Sequence, residues 1–264
     1  MRLHVVHRTE YSYDVPVGYG LQRLRLAPLA GQTQAVVSWK IDIEGGREEV
    51  RFSDQFGNDT RLVSMEGEPH VVGIEASGIV ETFDTTGVVG PHTGFAPLWL
   101  FRRATALTET GPAIGDFVAS VAEGNELDRL HRLMDAVADR VAYEPGATAA
   151  TTTAEEAFVL GKGVCQDHTH IFLAAARSFG FPSRYVSGYL MMDGVQEQAA
   201  SHAWAEAHVP SLGWVGFDVS NRMSPDERYV RVAIGRDYRD AAPVSGIRLG
   251  QAVEKLAVRI SVEQ

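Results

Sequence analysis

The sequence predicts an α+β protein: a β-sandwich-like N-terminal domain, then a core in which helices pack on an antiparallel sheet. Three observations carry this reading. Period-2 alternation dominates the first third of the chain, helical periodicity begins after residue 112, and alternating strand patterns return near residue 184. The divisions that follow are 1–84 for the β-rich domain, 85–111 for a linker and 112–264 for the core.

The elements follow in order. Leu24 and Leu26 mark a strand that breaks at Pro28, and Ala35, Val37, Trp39, Ile41 and Ile43 alternate with polar or smaller residues as in a half-buried strand. Segments 49–52 and 61–64 flank the turn-rich Asp54-Gln55-Phe56-Gly57-Asn58, a hairpin signal, and 71–82 is β-rich again. Several short strands with turns between them suggest a sandwich. Glycine and proline then punctuate 84–97 as a loop. Ile114, Phe117, Val118 and Val121 share one helical face after Pro112, and Leu127, Leu130, Met134, Val137 and Val141 continue the period in a second helix. Thr153 with Glu156 forms a capping box that opens a third.

Composition bounds the function. The chain has 264 residues, 45% apolar and 22% charged, which is enough apolar material for a real core. Asp and Glu outnumber Lys and Arg by 34 to 24, giving a formal charge of −10. A surface of that sign repels phosphate backbones, so neither nucleic acid nor an anionic membrane is an expected partner. Residues 1–8 lack the apolar stretch of a signal peptide, and no apolar run approaches the ~20 residues that span a bilayer. A soluble, cytoplasmic protein is expected. The only cysteine, Cys165, excludes an internal disulfide and is either a buried small hydrophobe or a reactive thiol.

The surroundings of Cys165 favour reactivity. Gly161-Lys162-Gly163-Val164 is a loosened turn running into an Ala-rich helix whose face is Ile171, Phe172, Ala175 and Phe179, stopped at Gly180-Phe181-Pro182. Cys165 therefore starts a helix, where free N–H groups and the dipole favour a thiolate and can hold an oxyanion. Asp167, in the same turn, competes modestly for that potential. A strand expected over 184–190 and a polar loop over 193–201 lead to a second strand. In it His202, Trp204, Glu206 and His208 share one face, and Ala203, Ala205, Ala207 and Val209 the other. The small face suits the Cys165 helix. Pro210-Ser211-Leu212-Gly213 turns into a third strand ending at Asp218, so His202 and Asp218 come side by side at one end of a hairpin. Cys165, His202 and Asp218 are then candidate nucleophile, base and orienting carboxylate.

Three stretches, Gly163-Val164-Cys165-Gln166-Asp167-His168-Thr169-His170, Ser201-His202-Ala203-Trp204-Ala205-Glu206 and Gly213-Trp214-Val215-Gly216-Phe217-Asp218, resemble the bacterial transglutaminase-like superfamily of cysteine proteases. Residues 231–238 also resemble a family signature, and the N-terminal third resembles the β-rich domain that precedes the core in this family. The resemblance implies a papain/transglutaminase-like core with Cys165, His202 and Asp218 as its triad. After the aspartate the family usually reads Pro-Thr-Asn, whereas this chain has Val219-Ser220-Asn221. The large animal transglutaminases use an indole upstream of the nucleophile as an oxyanion donor; no Trp follows Trp99 before Cys165, so that role does not transfer.

Other residues are candidates for the surroundings of the triad. Tyr143 and Gln166 are candidates for the oxyanion site or substrate pocket. His168 either lines the site or packs beneath it, and Trp204 shields the imidazole, floors a cleft or simply packs. Cys165-x-x-His168-x-His170 invites a zinc reading, but positions i, i+3 and i+5 do not share a helical face, so neither metal nor cofactor is expected. The expected partner is a peptide or protein amide, attacked to give a thioester that water resolves. Transfer of the same acyl group to an amine, or a non-catalytic binding protein on this fold, are the alternatives.

Overall fold

The computed structural model describes residues 1–264 other than 122, 123, 193 and 196. In chain order the first strands are β1 (Arg2–Tyr13), β2 (Tyr19–Leu24), β3 (Gln34–Glu44), β4 (Gly46–Ser53), β5 (Asp59–Met65), β6 (Val71–Thr82) and β7 (Val88–Gly90). Then come α1 (Pro112–Ser120), α2 (Glu126–Arg140), β8 (Ala142–Tyr143), α3 (Ala154–Leu160), β9 (Lys162–Gly163) and α4 (Cys165–Ser178). The chain closes with β10 (Ser183–Leu190), β11 (His202–Val209), β12 (Gly213–Phe217), β13 (Tyr229–Gly235), α5 (Tyr238–Ala241), β14 (Val244–Leu249) and β15 (Glu254–Glu263).

Two four-stranded antiparallel sheets, ordered β15-β1-β6-β3 and β14-β2-β5-β4, form the sandwich. Leu24, Leu26 and Val63 of one sheet side meet Ile74 and Ala76 of the other, with Trp39, Ile41 and Ile43 packed alongside. Ala35 and Val37, expected inward with those three, are exposed. A bulge between Val36 and Ser38 resets the register, so the inward alternation begins only at Trp39.

The core is built on a five-stranded antiparallel sheet, β13-β10-β11-β12-β7. Its edge strand β7 comes from the segment expected to be a loop and pairs with β12. The linker also supplies Phe101, buried against Trp214 at 5.3 Å between ring centroids. That segment is thus packed into the sheet's outer layer. The loop expected over 193–201 includes 193 and 196, which lie outside the described residues; within it Gln198 bridges to Ile260.

Helix α4 lies on the inner face of this sheet, because that face of β11 is made of Ala203, Ala205 and Ala207, which let a helix approach closely. Ile171, Phe172 and Ala175 fill the contact, and α1, α2 and α3 close over the rest of α4. The half of β1 that begins the chain packs Leu3 and Val5 against Tyr189, Val230 and Val232, which joins sandwich to core through an apolar seam. The sequence reading assigned 112–264 to the core. The last two strands instead hydrogen-bond to the sandwich, β14 to β2 and β15 to β1. Each covers a sheet edge that would otherwise present unpaired backbone groups.

Candidate active site

Cys165 is the first residue of α4, half-buried at the helix N-terminus. The turn before it is fixed by Asp167, which folds back: its Oδ2 accepts from the Val164 N–H at 2.8 Å and from the Thr148 hydroxyl at 2.6 Å. Gly163 makes this possible, since a Cβ there would stand 2.6 Å from the Asp167 Cβ. The helical ladder begins with the His168 N–H bonding to Val164 O at 3.0 Å, so the N–H groups of Cys165, Gln166 and Asp167 precede it. Asp167 is therefore the cap that shapes the turn into Cys165, a different part from the competitor for positive potential expected from sequence.

His202 opens β11 and Asp218 follows β12, and the hairpin brings them together: His202 Nε2 lies 2.6 Å from Asp218 Oδ2. Asp218 is completely buried. It also accepts from Tyr229 Oη at 2.8 Å and from the side-chain amide of Asn221 at 2.7 Å. Burial alone would depress the His202 pKa; hydrogen bonds from its ring to Asp218 and with Cys165, and the negative charge of those partners, outweigh burial and raise it above 6.5. For Asp218, burial pushes the pKa up, and the bonds from His202, Asn221 and Tyr229 reverse that and hold it below the ordinary carboxylate value. Asp218 and Cys165 thus both favour the protonated form of the imidazole.

The loop after Asp218 closes as a tight turn, with Asp218 bridged to Met223 and Arg222 at φ 53°. Ser220, in the segment that departs from the family's usual Pro-Thr-Asn, hydrogen-bonds His168 Nδ1 at 2.9 Å. His168 Nε2 donates to Val141 O at 3.0 Å, and burial lowers its pKa. Both ring nitrogens are occupied, so His168 ties the aspartate loop to α4 and the end of α2. His170 is elsewhere again: it is buried, accepts from the Tyr238 N–H at 3.1 Å, and burial lowers its pKa to about 3. No group of three metal-ligating side chains occurs among the described residues.

Trp204 is buried, its ring stacked on His202 at 6.1 Å and edge-on to Tyr229 at 5.4 Å. Tyr143 stands half-exposed beside His168, and partial burial followed by the nearness of Cys165 and Asp218 raises its pKa. Gln166 is drawn off to Ala150 O at 3.2 Å. Sequence reasoning missed Tyr229 and the part played by Asn221. Asn221 carried a signal, standing three residues after the aspartate, whereas Tyr229 reaches the site only through the sheet order.

Known proteins resemble this chain in both halves. Residues 3–81 match the bacterial transglutaminase-like N-terminal region, and 116–219 match the transglutaminase-like superfamily core. An uncharacterized protein of Mycobacterium leprae is 29% identical over 99% of this chain and 98% of its own length. One from Mycobacterium tuberculosis is 29% identical over 93% of this chain and 87% of its own. The crystal structure of a "putative cysteine protease" from Cytophaga hutchinsonii has the same fold, with a TM-score of 0.78 at 20% identity, over 100% of this chain and 91% of that one. With both regions matched in the order in which the sandwich and the core occur, the chain belongs to the bacterial transglutaminase-like superfamily.

Proposed function

We propose that the protein is a cysteine-nucleophile hydrolase of peptide or protein amide bonds, working through a thioester at Cys165. The observation that carries this is His202, held between the Cys165 thiol and the fully buried Asp218. The imidazole takes the thiol proton, and the thiolate attacks the amide carbonyl. The N–H groups at the start of α4 stand where the oxyanion develops. His202 then returns the proton to the leaving amine, and water, deprotonated by the same imidazole, releases the acid. Asp218 keeps the ring oriented and the imidazolium paired.

The test is the pH dependence of Cys165 alkylation by iodoacetamide, in the native protein and in His202→Ala. Labelling that extends below about pH 8.5, where an ordinary thiol titrates, and retreats to that range in the variant supports the pair. Labelling unchanged by the variant overturns it and favours a non-catalytic protein. Cys165→Ala should abolish turnover with folding retained. Turnover of an acyl donor only when an amine is supplied would replace hydrolysis with acyl transfer.

A further inference from the structure

Past Trp204, the outer face of β11 carries Glu206, completely buried. Two guanidiniums meet it. Arg184 brings Nε and Nη2 to Oε2, each at 2.6 Å, while Arg231 brings Nε to Oε1 at 2.7 Å and Nη2 to Oε2 at 3.2 Å. One carboxylate against two guanidiniums leaves one positive charge over in a buried cluster, and a buried charge is costly without a counter-ion. Neither Nη1 group hydrogen-bonds to any of the described residues. The Arg184 guanidinium lies over the Trp214 ring at 4.0 Å, which fixes its plane. Its charge also reaches two neighbouring imidazoles. His92 and His208 have pKa values lowered first by burial and further by Arg184.

Both arginines open onto a cleft of about 330 Å³ between the sheet and the loops at 29–32, 56–57 and 91–94. The remaining wall is mixed, with Phe56, Trp214 and Ile234 beside Gln32, Thr93 and glycine backbone. We propose that this cleft is a binding site for a small monocarboxylate with an apolar body. The single surplus charge matches one anion, the two free Nη1 groups suit a carboxylate's paired oxygens, and the volume is at the lower end for small-molecule sites. The site is separate from the proposed active site: Glu206 lies four residues along β11 from His202, roughly 13 Å at strand rise, with Trp204 between.

Calorimetric titration of the full chain with phenylacetate tests this. Saturable one-to-one binding is expected, with none for benzyl alcohol, which keeps the ring and lacks the charge. Ala30→Trp, at the exposed rim of the cleft, should weaken phenylacetate binding by about tenfold or more while leaving Cys165 alkylation unchanged. Glu206→Gln should tighten it if the variant folds; if not, Ala30→Trp decides. No saturable binding, equal binding of benzyl alcohol or of inorganic phosphate, or indifference to Ala30→Trp would overturn the assignment.

Discussion

At the scale of the residue, the weight falls on Asp218. Its carboxylate has no access to water and takes hydrogen bonds from His202, Tyr229 and Asn221. The His202 pKa is raised above its unfolded 6.5, so the pair's contribution to stability is complete below about pH 6.5 and is lost as pH rises through the folded value. Asp218→Asn removes the counter-charge. The midpoint of Cys165 alkylation should then move up by about one to three pH units, because the imidazolium that accompanies the thiolate is less favoured. An unchanged midpoint would mean that Asp218 does not act on the base. Tyr229→Phe deletes one donor and should cost about 1 kcal/mol in urea unfolding, with a smaller shift in the same direction. The places of Cys165, His202 and Asp218 in the fold are legible because each sits at a strand or helix end with a local pattern. Tyr229 is not, because it comes from a strand that no local pattern ties to the triad.

At the scale of the element, the turn into α4 and the alanine face of β11 decide whether the thiol is presented at all. Gly163→Ala would drive a methyl into the Asp167 side chain. Loss of that cap should cost about 1–2 kcal/mol and slow Cys165 alkylation, read together by urea unfolding and iodoacetamide labelling. Ala205→Leu inserts a larger side chain between β11 and α4, where Ala205 is completely buried. Overpacking of that kind should cost about 1–3 kcal/mol and displace the helix start, so stability and labelling should fall together. The α3 capping box and the α4 start were readable because caps use adjacent residues. The bulge in β3 was not, since its hydrophobic alternation runs on unbroken through the point where register shifts.

At the scale of the whole molecule, the core is an insertion in the sandwich: the chain leaves the sandwich after β6 and returns with β14 and β15. Sequence patterns place 244–263 in the core without marking strands there, and periodicity says nothing about which strand is a neighbour, so the pairing of the last two strands is not legible locally. Deleting residues 250–264 should bare the β1 edge along the register from His4 to Tyr13 and produce self-association, measured by light scattering of the truncated chain. A truncated chain that scatters no more than the full chain and is equally stable would contradict this account.

The pairing of β1 with β15 also sets an order of events on the ribosome. His4 meets Glu263 across about 250 residues of chain. At ~5–20 residues per second, β1 waits roughly ten to fifty seconds of vectorial synthesis for that partner. Over that interval the nascent chain carries an open strand edge, and Leu3 and Val5 wait for core strands that also emerge late. Completion of the first sheet therefore waits until every strand of the core has been made.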